Sequence, residues 1–301
     1  MSTARGREVR DSLLLLLAAL IWGSTFVAVK AAVTSTSPLL FVAVRFTLAT
    51  VAALPLIRLG ARFARGVRVG IPIGLVFGAA YAAQTVGLTV TTPARSAFIT
   101  ALSVALVPFW GFAVSRVRLG WPQVIAFLLT IPGLWLLSAP GGEVGAWNSG
   151  DSWTVVCAVL FALHIALIGR FAGHIDAAGL LIGQLVSIAL LCGIASPFLE
   201  TPRITWTRDV IVGLLLTALL ATVLTSWIQI RVQPRVGSNR TAILFATEPV
   251  FGALFSFWLT GERLPALGWF GGALILAAVL LSELGPRDAN HGPHAFADPA
   301  H

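Results

Sequence analysis

Apolar residues occur along this chain in runs of about twenty, separated by short links that are polar or contain Pro and Gly. An α-helix needs about twenty apolar residues to cross the roughly 30 Å hydrocarbon layer of a bilayer. The runs predict ten transmembrane helices, at 13–33, 38–58, 69–90, 94–115, 121–139, 152–171, 177–198, 209–230, 237–260 and 264–284. The pattern is therefore typical of an all-α polytopic membrane protein.

Composition supports the same class. Hydrophobic residues make up 57% of the 301 residues and charged residues only 11%, whereas about a quarter of a soluble domain is charged. The formal charge of +8 comes from arginines in the short links, which membrane topology explains better than a nucleic-acid partner does. Cys157 and Cys192 lie inside apolar runs without metal-ligand spacing, so we expect packing residues and no metal site.

Lys and Arg are unevenly divided between the two ends of the predicted helices. Fourteen lie on the side that holds both termini, and they are Arg5, Arg7, Arg10, Arg58, Arg62, Arg65, Arg68, Arg116, Arg118, Arg170, Arg231, Arg235, Arg240 and Arg287. The opposite side has Arg95, Arg203, Arg208 and Arg263. Because cytoplasmic loops carry an excess of these residues, both termini are predicted to be cytoplasmic. Residues 1–12 then form an N-terminal tail, and the polar, Pro- and Gly-containing residues 285–301 form a disordered one.

The ratio of arginine to lysine suggests the source of the chain. Lys30 is its only lysine beside nineteen arginines. This excess of arginine indicates a GC-rich bacterial genome, so we expect the bacterial inner (plasma) membrane.

The two halves of the chain resemble each other weakly, but in order, when they are offset by 139–144 residues. For example, residues 22–30 lie over residues 162–170, and both segments end in a cation. Such matches predict two five-helix repeats, at 13–139 and 152–284. Since five is odd, the copies are inverted relative to each other, an architecture common in secondary transporters with a substrate site where the halves meet. A chance alignment of apolar sequence is the alternative.

Several short motifs stand out within the predicted helices. They are Trp22-Gly23-Ser24-Thr25-Phe26 with Lys30, the second-helix start from Pro38 to Arg45-Phe46, the Pro108 helix, Glu248-Pro249-Val250, and Gly261-Glu262-Arg263-Leu264. In these motifs the chain resembles the EamA domains of drug/metabolite transporters over about residues 13–284. The resemblance implies a ten-helix inner-membrane carrier, not an enzyme, that exports small metabolites or drugs by alternating access.

Ionisable residues within the predicted helices are candidates for function. An ionised side chain at the bilayer centre costs about 2.5–3.5 kcal/mol on insertion scales, so each should face a cavity or a partner. Glu248 lies near the middle of the ninth helix, where it could bind a cationic substrate group or a proton; the alternative is a protonated packing residue. His164 is the second candidate for proton coupling, because imidazole titrates near neutral pH, although a neutral, hydrogen-bonded histidine is the alternative.

Three cations are predicted at a similar depth. Lys30 and Arg45 lie within the first two helices, near the same membrane face as Arg95. Together they could attract an anionic substrate group. In the alternative interpretation Lys30 reaches to the membrane surface and Arg45 bonds to helix carbonyls.

Uncharged side chains complete the predicted site. Aromatic faces with a few hydrogen-bonding groups are typical of small-molecule cavities. The residues expected to line such a cavity are Trp22, Ser24, Tyr81, Gln84 and Gln184, and those expected to shape helices are Pro108 and Pro249. The small-residue pairs Gly74 with Gly78 and Gly268 with Gly272 suit packing within one chain or in a homodimer.

Other classes of membrane protein fit the sequence less well. The chain has no phosphate-binding Gly-x-x-x-x-Gly-Lys-Ser/Thr loop for ATP, and its predicted midplane lacks the paired catalytic groups of an intramembrane enzyme. Channel-type rings of charge and loops long enough for a receptor are also missing. We therefore predict a secondary carrier without a cofactor that exports a small molecule across the lipid bilayer with proton coupling; facilitated diffusion or exchange is the alternative.

Overall fold

The computed structural model describes residues 2–58, 60–116, 120–137, 147–263 and 265–282. These residues are almost entirely helical, and their β-structure is limited to one antiparallel bridge between Thr36 and Ile204. The predicted all-α class is thus confirmed. The predicted tail at 285–301 lies outside the described residues.

The helices of the first half are α1 (Ser2–Ala32), α2 (Pro38–Ala53), α3 (Ala61–Val90), α4 (Pro93–Thr100), α5 (Leu102–Ser115) and α6 (Trp121–Leu137). Those of the second half are α7 (Ser149–Phe171), α8 (Ala177–Leu199), α9 (Arg208–Leu215), α10 (Thr225–Val236), α11 (Ser238–Phe245), α12 (Glu248–Thr260) and α13 (Ala266–Ser282). A π-helical segment, Leu216–Leu224, joins α9 to α10.

Eight helical stretches of the described chain are long and apolar enough to cross a membrane. Two of them combine shorter helices, because α4 with α5 and α9 with α10 each form one stretch. The remaining two predicted spans correspond to α6 and α13, whose apolar parts are shorter, Val124–Gly133 and Ala266–Ala278. These two helices pack along each other.

Two helices begin two turns or more before the residue that the hydrophobic pattern predicts. The first starts at Ser2, so residues 2–12 of the predicted tail continue α1 as helix. The third starts at Ala61 instead of residue 69. Its added turns pack against the start of α8, because Gly66 lies directly against the backbone of residues 176–180. Apolar length alone underestimates helices whose ends extend beyond the hydrocarbon layer.

The fourth and ninth predicted helices were expected to be continuous, and both are broken. The fourth is interrupted at Ala101, between α4 and α5, and continues unbroken through Pro108. The ninth ends at Phe245 and restarts at Glu248. Pro249 explains this second break, since it has no N–H to bond the carbonyl of Phe245 and is well tolerated in the first turn of a new helix.

Glycines bring α3 and α8 into close contact. Successive glycines of α3 meet successive small residues of α8, as Gly66 with Gly179 and Gly70 with Gly183. The contacts advance in the same direction along both helices, which therefore run parallel. Gly74 also contacts α8, so this small-residue stripe is used for packing within the chain.

Other contacts define the directions of the central helices. The ring contact of Tyr81 with Phe161 and the close approach of Gly87 to Gly150 show that α3 and α7 are antiparallel. Helices α5 and α7 run parallel, as do α1 and α12. Helices α1 to α5, α7 and α10 to α12 thus surround a central space in the bundle.

Candidate functional site

The central space is a partly open cavity, and about 740 Å³ within it and at its mouth, open solvent included, is not occupied by protein atoms. Its polar lining residues are Thr25, Arg45, Tyr81, Gln84, Thr100, Ser103, His164, Gln229 and Glu248. Its aromatic lining residues include Trp22, Phe26, Phe77, Phe161 and Phe245. Both helix breaks border this cavity, through Ala101 on one side and Glu248 on the other.

Glu248 is positioned by the break in the ninth span. Although it lies mid-span as predicted, it is the first residue of α12 and not an interior helix residue. A carboxylate is favoured at that end of a helix by the helix dipole. Among the described residues its carboxylate has neither a hydrogen bond nor an ion pair, and it borders the cavity. The side chain therefore has bonding capacity available to a ligand.

Arg45 is held by its neighbours on three sides. It is buried, its Nε donates to Thr222 Oγ1 at 2.9 Å, and its Nη2 donates to the Ala221 carbonyl at 3.3 Å. The guanidinium lies 4.5 Å from the centroid of the Tyr81 ring, within range of a cation–π interaction. Arg45 is thus bonded to a helix carbonyl and borders the cavity as well.

The expected group of three cations is not formed. Lys30 Nζ donates to the carbonyls of Leu88 at 2.7 Å and Thr91 at 3.0 Å, at the end of α3. Arg95 forms an ion pair with Asp151, and both side chains are fully buried. Each cation thus has its own protein partners, and Arg45 bonds a helix carbonyl as in the alternative interpretation, so the contacts do not favour a shared anion site.

The Ala221 carbonyl also receives a second donor. Trp22 Nε1 donates to it at 2.9 Å, so Trp22 and Arg45 share one acceptor. This carbonyl lies inside the π-helical segment. The wider hydrogen-bond spacing of a π-turn alters the backbone bonding of the segment, and here one of its carbonyls is bonded by side chains from α1 and α2.

His164 is fixed by a neighbour outside the cavity. Its Nε2 lies 2.8 Å from Gln184 Oε1, while Gln184 Nε2 donates to the Leu180 carbonyl at 3.3 Å. This orientation of the amide makes His164 Nε2 the donor. The imidazole also stacks on Phe77, with a centroid separation of 3.7 Å and an interplanar angle of 2°. Gln184 therefore orients a lining residue and does not line the cavity itself.

The other predicted residues are divided between the cavity and its surroundings. Trp22, Tyr81 and Gln84 line the cavity, and Gln84 Nε2 donates to Thr100 Oγ1 at 3.4 Å. Ser24 does not line it, and its hydroxyl donates to the Ile21 carbonyl of its own helix. Of the two prolines, Pro249 borders the cavity.

Sequence reasoning missed several polar residues, among them Thr100 and Ser103 of the cavity lining and the two described next. Gln229 lines the cavity and is buried. Like Gln84, it is an amide side chain within an apolar run, and this pattern could have identified it as a candidate lining residue. Asp151 was missed because it lies at a helix start, where it forms a capping box with Asn148 and so has an ordinary local explanation. Its ion pair with Arg95 depends on tertiary structure.

Long apolar helices around a cavity of aromatic and polar side chains define the class: a polytopic membrane protein with an internal binding site. A sequence model of the EamA-like transporter family matches this chain twice, at residues 11–139 and 148–284. The chain belongs to this family. Both the family and the relatives described next are transporters and not enzymes.

Two relatives agree with this assignment, and a solved structure has a similar fold. An uncharacterized transporter of Archaeoglobus fulgidus is 35% identical over 90% of this chain and 84% of its own length. A second one from the same organism is 24% identical over 91% of this chain and 97% of its own length. A crystal structure with 17% identity has a TM-score of 0.66 and covers 92% of this chain and 97% of that chain, so it is similar in fold.

Proposed function

We propose that the protein is a secondary transporter that exports a small amphipathic solute by alternating access, with Glu248 binding a cationic group of the solute and a proton in turn. The observation that carries this proposal is the carboxylate of Glu248, which borders an aromatic cavity and has no ion pair among the described residues. A carboxylate in this position can bind either a proton or the cationic group of a solute.

The lining of the cavity favours a solute with an amine or another organic cation. Trp22 and Phe245 contact each other edge to face, with centroids 4.8 Å apart, and both line the cavity with Glu248. Aromatic faces attract cations, and a desolvated carboxylate adds charge complementarity. Arg45 is less suited to bind an anion, since Tyr81 and the Ala221 carbonyl already surround its guanidinium.

We also propose ten crossings arranged as two inverted repeats, 13–139 and 152–284. Helices α5 and α7 run parallel, which supports a crossing between them in the opposite direction by α6. Its 17 residues give about 26 Å of helix. The parallel packing of α1 with α12 repeats that of α7 with α5, as inverted copies would.

Proton coupling is our preferred source of energy. A carrier that binds a proton and a cationic solute at one carboxylate exchanges one for the other, because the two compete for the same charge. The alternative is facilitated diffusion or solute exchange, in which Glu248 binds only the solute. We place this transport in the bacterial inner membrane with cytoplasmic termini.

The test uses purified protein in proteoliposomes, with ethidium as the probe cation and an imposed pH gradient. We expect gradient-driven ethidium movement in the natural protein and a loss of about tenfold or more in Glu248→Gln, since one charge-dependent contact of about 1.4 kcal/mol changes affinity tenfold. Asp209→Asn is the matched control, because Asp209 is an exposed carboxylate at the start of α9.

Two results would contradict parts of the proposal. Equal ethidium movement with and without the gradient would exclude proton coupling and favour the exchange alternative. A Glu248→Gln protein that moves ethidium as fast as the natural protein would exclude the role of this carboxylate.

A further inference from the structure

Two clusters of ion pairs lie in the helix bundle. In the Arg95 cluster (Thr91, Arg95 and Asp151), Arg95 Nη2 lies 2.7 Å from Asp151 Oδ2, and Thr91 Oγ1 donates to Asp151 Oδ1 at 2.7 Å. The Asp11 cluster consists of Glu8, Asp11, Arg235 and Arg240. In it Arg235 donates to both carboxylate oxygens of Asp11, at 2.7 and 3.0 Å, and Arg240 pairs with Glu8.

The two clusters lie at opposite ends of the bundle. Asp11 is near the start of α1, whereas Lys30 near its end donates to the carbonyl of Thr91, a member of the Arg95 cluster. The 19 residues from Asp11 to Lys30 correspond to about 28 Å of helix. One cluster therefore lies near each predicted membrane face.

The repeat relates the clusters to each other. Asp151 follows Asp11 by 140 residues, and Arg235 follows Arg95 by 140 residues, which is within the offset that aligns the two halves. In addition, Arg240 is the third residue of α11, as Arg95 is of α4. In both clusters the acidic residue belongs to the first helix of one half and the arginine to the other half. Each end thus pairs an acid of one half's first helix with an arginine of the other half. The arginines differ in their elements, because Arg235 lies in α10, whereas Arg240, which matches Arg95 in its place at a helix start, pairs with Glu8.

The clusters differ in their exposure. The side chains of Arg95 and Asp151 are both 0% exposed, whereas that of Arg235 is 48% exposed and that of Asp11 is 7% exposed. A buried ion pair is hard to separate because each partner would be left as an unpaired buried charge. An exposed pair is easily exchanged for water. In this conformation the Arg95 end is the more firmly closed end.

We propose that the two clusters are the reciprocal locks of the transport cycle. This inference rests on the proposed alternating access. The Arg95–Asp151 pair holds one end of the cavity shut and separates when that end opens. The Asp11–Arg235 pair closes the other end in the alternate conformation, where it becomes the buried pair.

The test measures access to the cavity from each membrane face. Ser103 lines the cavity and is buried, so Ser103→Cys serves as the probe position in a full chain that also carries Cys157→Ala and Cys192→Ala. A membrane-impermeant maleimide is applied to intact cells and, separately, to inverted vesicles. The labelling rates report how often each end is open.

Asp151→Asn is expected to raise the labelling rate from the Arg95 face about tenfold and to lower it from the other face, because the two ends open alternately. Asp11→Asn is expected to do the reverse. The double charge swap of Arg95→Asp with Asp151→Arg should return the rates toward those of the parent protein. Asp209→Asn, an exposed carboxylate at the Arg95 end, should change neither rate.

Each variant is first checked for a monodisperse elution profile, and Arg95→Lys, which keeps the charge, provides a milder second change. The inference is overturned if folded Asp151→Asn labels like the parent protein, or if its labelling increases equally from both faces. Labelling requires no substrate, so this failure differs from a failure of transport. Opposite labelling shifts without solute movement would support the locks and contradict the proposed carrier.

Discussion

At the scale of the residue, the pair His164 and Gln184 illustrates how a buried polar group is satisfied. Gln184 accepts a hydrogen bond from the imidazole on one side and bonds its own helix on the other. Both residues are buried. A buried donor that loses its acceptor costs about 1–3 kcal/mol, whereas replacing both partners by apolar groups can be nearly neutral.

We therefore predict that Gln184→Met lowers the free energy of unfolding by about 1–3 kcal/mol, measured by thermal unfolding in detergent. The double variant His164→Phe with Gln184→Met should recover much of this loss, since phenylalanine can keep the stack on Phe77. Additive losses in the double variant would contradict the hydrogen bond. Gradient-driven ethidium movement that persists in His164→Phe would exclude this histidine as the proton site.

The sequence predicts candidate residues better than it predicts their contacts. Glu248 and Gln84 could be found because polar groups in an apolar run need a reason to be there. Ser24 is also a polar residue in an apolar run, but its hydroxyl bonds a carbonyl of its own helix. The pattern contains no information that separates these cases. It also could not pair Arg95 with Asp151, because their contact depends on how α4 packs against α7.

At the scale of the element, the contact between α3 and α8 depends on the absence of side chains. A Cβ atom at Gly70 would lie 2.5 Å from the carbonyl oxygen of Leu180. Backbone cannot move aside as the end of a flexible side chain can. The two helices would therefore have to separate to admit even one methyl group.

We predict that Gly70→Ala lowers the free energy of unfolding by about 1–3 kcal/mol, the usual cost of overpacking. Gly111→Ala in α5 is the matched control, because nothing lies within 4 Å of its added Cβ. The control should be neutral or stabilising by up to about 1 kcal/mol, since alanine favours helix over glycine. Equal unfolding temperatures for the two variants would contradict the close packing of α3 with α8.

Helix existence was easier to predict than helix continuity. Apolar runs identify the helices because length in hydrocarbon is a property of composition. The break before Glu248 had a local signal in Pro249, whereas the break at Ala101 and the π-helical segment Leu216–Leu224 had none that we recognised. Irregular backbone within a membrane protein is tolerated where it borders a cavity or is buried in protein, and both conditions depend on tertiary structure. The break at Ala101 borders the cavity.

At the scale of the whole molecule, the order of the helices determines where the chain ends lie. In the proposed arrangement an even number of crossings would place both ends on one membrane face, which the distribution of arginines predicts to be the cytoplasmic face. Helices α6 and α13 decide the count, because their described apolar stretches, Val124–Gly133 and Ala266–Ala278, are shorter than the usual spanning length.

We predict that cysteines introduced at Ser2 and, in a separate protein, at His301 both react with an impermeant maleimide in inverted vesicles and not in intact cells. Termini on one face are compatible with two cases: α6 and α13 both cross the membrane, or neither crosses. A cysteine placed in the link 138–146 of a further protein distinguishes these cases, because it should react in intact cells only when α6 crosses. Termini that react on opposite faces would overturn the ten-helix arrangement.

The carbonyl of Ala221 has a consequence for how such proteins diverge. It is the common acceptor for Trp22 and Arg45, and every amino acid supplies a main-chain carbonyl. A substitution of one small residue for another at position 221 therefore leaves this acceptor in place. A substitution of Trp22 or Arg45 removes the donor and with it the hydrogen bond. Among descendants that keep the arrangement, the two donors should be retained while the residue that receives them varies.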